Sequence, residues 1–179
     1  MSAQPEPWLC GTHVEIPAVI RAVVHALELC REDIDQHCGG LSDAALNARP
    51  AQVAQVAFHL RHIVRTLDRL LTYAEGRQLS QEQLAALKAE LDPGATRDSL
   101  FAEFHAGLDA ALARIRAFAG ADLEQPRAVG RKALPTSVGG LLVHCADHTQ
   151  RHTGQAVTTS KIVQELAAHD TSRAASKGL

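Results

Sequence analysis

Along this chain, apolar residues recur at three- and four-residue steps in four long stretches, the period of one helical face. In the first, Val19, Ile20, Val23, Val24, Leu27 and Leu29 form a broad stripe. A helix is predicted from near Glu15, with Pro17 suited to an early position, and it fades at "HCGG", where two glycines act as a stop. "LSDAALNARP" reads as a short turn of helix and a loop. The second stretch, residues 51–74, carries Val53, Val56, Ala57, Leu60, Val64, Leu67 and Leu71 on one side. A shorter helix follows in "LSQEQLAALKAELDPG", capped by Ser80 with Gln83 three residues on and closed by Pro93 and Gly94. The third, residues 97–118, aligns Leu100, Phe104, Leu108, Ala111, Leu112 and Ile115 and stops at Gly120. A loop, "ADLEQPRAVGRKALP", has room for an irregular extended segment. The last helix is predicted to start after Pro135, capped by Thr136 or Ser137, and to run to about Leu166.

Four long amphipathic helices with no convincing strand alternation predict an all-α fold, a four-helix bundle with an additional short helix. We expect a single domain over residues 1–166, a mobile C-terminal tail over 167–179, and an extended start, "MSAQPEPWLCGTH". Gly139 and Gly140 are expected to permit close approach of helices.

Composition sharpens this in a few places. At 179 residues the chain can bury a real core, and with aromatics at 3% that core must be built from Leu, Val, Ile and Ala. A formal charge of −2 gives no electrostatic case for nucleic acid or an anionic membrane. No stretch is long enough to span a bilayer, no signal peptide is apparent, and Cys10, Cys30, Cys38 and Cys145 form no Cys-x-x-Cys pair. A reduced, cytoplasmic protein with free thiols is the expectation.

Ten histidines are the oddity. "HCADHTQRH" sets His144, His148 and His152 four apart, so neighbours in the series lie one helical turn apart. Stepped around the helix, His148 and His152 fall within the stripe of Val138, Leu141, Leu142, Cys145, Ala156 and Val163, and His144 falls toward its edge. Such rings need partners, either ordinary hydrogen-bond acceptors or a shared metal ion. The metal reading gains weight from "FHLRHI" in the second helix, because bundles build metal sites from facing helices. There the helical wheel favours His59 over His62 by a small margin. Cys145 reads as a small buried hydrophobe, and His13, His25, His37, His105 and His169 as isolated non-ligands. A zinc peptidase needs Glu directly after its first histidine, where this chain has Thr149. Di-iron chemistry would need Glu-x-x-His motifs.

"FHLRHIVRTLDRLLTYAEG", followed far downstream by "VGGLLVHCADHTQRHTGQ", resembles the DinB-like (YfiT-like) superfamily of metal-dependent proteins. The likeness spans roughly residues 20–162, and its most specific piece is His148, His152, Gly154 and Gln155 in His-x-x-x-His-x-Gly-Gln. The resemblance implies a four-helix bundle, often a homodimer, holding one divalent metal, Zn or Ni, through three histidines: His62 from the second helix and His148 and His152 from the last. It thus prefers His62 where the wheel prefers His59, and leaves His59 and His144 as neighbours of the ligands. Members with assigned activities include maleylpyruvate isomerase and S-transferases that use the low-molecular-weight thiols glutathione, mycothiol or bacillithiol. A metal-dependent thiol S-transferase acting on a small molecule is therefore the implied function. The alternatives are a non-catalytic, stress-associated metal-binding bundle and a metal-dependent hydrolase.

Overall fold

The computed structural model describes residues 5–177, with side chains for residues 5–169. Residues 1–4 of the predicted extended start and 178–179 of the predicted tail lie outside the described residues. The fold is all-α: α1 (Ala18–Cys38), α2 (Asp43–Asn47), α3 (Val56–Ala74), α4 (Gln81–Lys88), α5 (Arg97–Arg116) and α6 (Val138–Lys177). The four long helices close a ring, with α6 against α1 and α3, and α5 completing the other side against the same two. Leu27, Ile34, Leu60, Ile63, Leu67, Phe104, Leu108, Ile115 and Leu142 fill its centre and are fully or almost fully buried. Among the described residues, no helix is long and apolar enough to cross a membrane.

Local signals explain most boundaries. Ser42 caps α2, Thr96 caps α5, and Ser80 with Gln83 forms a reciprocal capping box on α4. Two boundaries differ substantially from the periodicity reading. The predicted second helix begins at Val56 instead of residue 51, because Ala51 and Gln52 sit at φ 48° and 65°, left-handed values that no helix accommodates. Val53 is therefore an exposed residue ahead of α3 and no part of its stripe. The last helix passes Leu166 and reaches Lys177, since no glycine or proline interrupts it before Gly178. The loop before it holds an antiparallel hairpin, β1 (Pro126–Val129) with β2 (Leu134–Ser137), turned by Gly130 at φ 70°.

Gly139 and Gly140 serve a different approach from the one expected. A Cβ on Gly139 would lie 3.1 Å from the Leu123 carbonyl oxygen, and one on Gly140 would lie 2.8 Å from Thr136 Oγ1. They fit the helix start to its preceding segments. The close helix-to-helix contact is at Gly107 of α5, where a Cβ would lie 2.5 Å from Val64 Cβ of α3.

Candidate metal centre

α3 and α6 pack side by side, and their facing edges bring His62, His148 and His152 together with one ring nitrogen of each within 4.8 Å of the others. The position of the α6 pair follows from a stripe that hydropathy alone misplaces. Its buried line runs Val138, Leu142, Cys145, Thr149, Thr153, Ala156, Ser160 and Val163, including three hydroxyl residues. Thr153 reaches this interior by donating to the Thr149 carbonyl, 2.9 Å away, and Ser160 by donating to the His37 carbonyl, 2.6 Å away. His148 and His152 come one residue before Thr149 and Thr153, so they stand at the rim of the stripe, half-buried, and not within it as expected. A rim position keeps the rings dry on one side and reachable on the other.

Two of the three rings are held by a specific partner. Glu90, in the turn after α4, lies 2.6 Å from His62 Nδ1 and 2.7 Å from an Arg69 guanidinium nitrogen, and Arg69 also donates to Thr66 Oγ1. Burial raises the Glu90 carboxyl, but the hydrogen bonds from His62 and Arg69 outweigh it and hold the group below the usual carboxylate range. An ionised carboxylate only accepts, so His62 donates through Nδ1, and Nε2 is the nitrogen turned toward the cluster. That Nε2 is 3.2 Å from His148 Nε2. Two imidazoles sharing an ion at about 2.0–2.1 Å stand about 3–3.4 Å apart, so this pair is already at coordination spacing. Phe58 stacks on the His62 ring at 5.0 Å.

His59 is almost fully buried, as the wheel indicated, yet it does not join the three-histidine cluster. Its Nδ1 is 3.0 Å from His152 Nδ1, which leaves His152 Nε2 as the uncommitted nitrogen. His59 thus orients a ligand-type ring. His144 is exposed and pairs loosely with Asp147, 3.6 Å away, while Asp147 also bonds Arg151. Neither belongs to the cluster.

Burial, with the neighbouring rings adding to it, pushes His59, His148 and His152 down to about 4. At neutral pH these rings are uncharged and their lone pairs are available. The donor set therefore fits a divalent ion: three imidazoles, two with a partner on the far nitrogen. Cysteine chemistry fits nothing here. Burial pushes Cys30 and Cys145 up to about 12 and Cys38 up to about 11, so none of the three is a thiolate at neutral pH. Thr149 is completely buried, so the position beside His148 supplies no base.

The rim opens onto a cleft of about 660 Å³ lined by Val53, Phe58, His59, His152, Gln155 and Ile162, among others. Sequence reasoning missed Glu90 and Arg69. Arg69 carried a signal, since Thr66 and Arg69 follow His62 by one and two turns on one face of α3. Glu90 carried none, because its approach depends on how α4 folds back.

Comparison with known proteins finds a family match. The family model described as the DinB superfamily matches residues 26–156, which include α3, the histidine cluster and Glu90. No curated protein matches the chain significantly.

Proposed function

This chain belongs to the DinB superfamily, and on that premise we propose that it is a metal-dependent thiol S-transferase acting from the His62, His148 and His152 centre. The observation that carries the reading is that the three-histidine cluster borders, through His152, a largely apolar cleft. A metal that served only to brace the bundle would sit in a closed site with all its positions filled by protein.

A divalent ion there, Zn or Ni by its donors, would supply Lewis-acid stabilisation of an anion such as a thiolate. The residues of the chain do the rest. Glu90, clamped by Arg69, keeps the proton of His62 on Nδ1, and His59 fixes the rotation of His152. Val53, Phe58 and Ile162 offer the apolar walls that hold an electrophile and exclude water, while Gln155 supplies a polar contact. In the reaction, the thiol sulfur forms a bond to an electrophilic carbon, and the leaving group departs with the electron pair as the thiol proton is released. The buried Thr149 weighs against the hydrolase alternative, which needs a base near the ion.

The test uses chelator-stripped protein reloaded with Zn or Ni. Calorimetry with glutathione, mycothiol and bacillithiol, and mass spectrometry of conjugates with a panel of aryl and alkenyl electrophiles, should show thiol binding and transfer. His148→Ala should hold one ion fewer per chain than wild type and lose both activities. Unchanged metal content in His148→Ala removes the site. Normal loading without thiol binding or transfer removes the enzyme and leaves the non-catalytic bundle.

A further inference from the structure

Two histidines that stand isolated in the sequence meet in the fold. His25 and Glu28 lie three residues apart on one face of α1. His13 belongs to the segment that precedes the helix, and that segment turns back over α1 through left-handed residues, Gly11 at φ 66° and His13 at φ 58°. His13 Nε2 comes to 2.7 Å from Glu28 Oε1, and Thr12 Oγ1 comes to 3.0 Å from His25 Nε2. The two rings are 5.5 Å apart, and one donor atom from each of His13, His25 and Glu28 lies within 4.8 Å of the others.

We propose that His13, His25 and Glu28 form a second divalent-cation site, which takes a zinc-like ion and fastens the N-terminal segment to α1. Two imidazoles and one carboxylate are a recurrent protein ligand set for zinc, leaving a further position for water or a side-chain oxygen. Mixed nitrogen and oxygen donors select a transition ion over Ca²⁺ or Mg²⁺, which favour oxygen throughout. His25 is the fixed point. It is 7% exposed, and the partner of its Nε2 is a hydroxyl from the segment that the ion would tie down. His13 and Glu28 are more open, with side chains 23% and 27% exposed, so an ion can enter from solvent. Their present 2.7 Å contact needs to open by only a few tenths of an ångström for both to reach one ion at about 2.0–2.2 Å. The surrounding charges are mixed: Glu15 is 3.9 Å from His13 Nδ1, and Arg116 is 3.6 Å from Glu28 Oε1. Binding would replace the partial neutralisation that Arg116 gives Glu28 with a direct ligand bond. None of these residues belongs to the α3–α6 centre, so the site stands whether or not that centre is catalytic.

The experiment is Zn²⁺ titration of chelator-stripped protein by calorimetry, with elemental analysis after dialysis. Wild type should bind two ions per chain, and the His148→Ala/His152→Ala variant one. Adding His13→Gln or Glu28→Gln to that variant should weaken the remaining ion at least tenfold. His13→Gln changes a partly exposed residue outside the helices, and far-UV circular dichroism checks that the fold is kept. In parallel, imidazole ¹⁵N shifts of His13 and His25 in otherwise wild-type protein should move on Zn²⁺ addition. The proposal is overturned if those shifts do not respond, or if the ion left in the double variant is indifferent to both His13→Gln and Glu28→Gln. Two ions in wild type and one in His13→Gln uphold it even where the double variant fails to fold. One ion in wild type and none in His13→Gln would uphold this site and remove the other.

Discussion

Glu90 holds the His62 ring from a turn outside both helices that carry the candidate ligands, and its own charge is held by Arg69. Exchanging that carboxylate for an amide keeps the shape while weakening the hold on the His62 proton. Glu90→Gln should therefore lower the affinity of the α3–α6 centre for Zn²⁺ by about 10- to 100-fold, measured by competition with a chromogenic chelator. Unchanged affinity would reduce Glu90 to an ordinary ion-pair partner. The residue scale is also where the sequence was least legible. Its pattern ranked His59 above His62 because it measures burial, and His59 is indeed the more buried. A ligand, however, has to stand at the edge of the buried face. The same confusion placed His148 and His152 inside a stripe that in fact runs through Thr149 and Thr153. The Thr153 hydroxyl is satisfied by a backbone carbonyl, while that of Thr149 is buried without a hydrogen-bond partner among the described residues, and hydropathy registers neither.

At the scale of elements, helix periodicity and capping chemistry were legible, and irregular backbone was not. The capping box at Ser80 and the caps at Ser42 and Thr96 lie in local sequence and can be read there. The left-handed turn at Ala51 and Gln52 is imposed on residues with no preference for it, so nothing in "RPAQVAQV" announces that α3 starts late. The hairpin before α6 was legible only as an extended segment in the loop, since its strands are four residues each and their pairing leaves no local signal. Contact between α3 and α5 depends on Gly107, against which Val64 packs with no space for a methyl group. Gly107→Ala gains about 1 kcal/mol of helix propensity but overpacks the contact, at a cost of about 1–3 kcal/mol. Urea unfolding should show a net loss, and combining Gly107→Ala with Val64→Ala should give less than the sum of the two single losses. Simple additivity would mean that the helices move apart freely.

For the whole molecule, the rings at the centre link stability to acidity. His59, His148 and His152 are pushed from an ordinary 6.5 to about 4 in the folded chain, so the unfolded chain takes up protons that the folded chain refuses. Stability is complete above about pH 6.5 and declines as pH falls toward 4. Thermal melting of the metal-free protein should show the midpoint dropping across that window. A midpoint flat from pH 6.5 to 4 would mean that the rings are solvated in the native state. The overall architecture, by contrast, could be read directly: four long amphipathic helices leave few ways to bury their stripes other than a bundle.

His62 and His148 are 86 residues apart in the chain, yet their nitrogens are neighbours. While the chain is being synthesised, the first ligand emerges long before the other two. At the proposed α3–α6 centre, an ion that meets the unfinished chain would find one ligand of three and no reason to stay there. Capture at that centre would wait until α6 has docked on α3, so the strength with which the metal is held there would become part of the free energy that closes the bundle. Retention of an ion at this centre would then report that α6 has been made and docked, and a truncated product lacking α6 would be unable to keep an ion there.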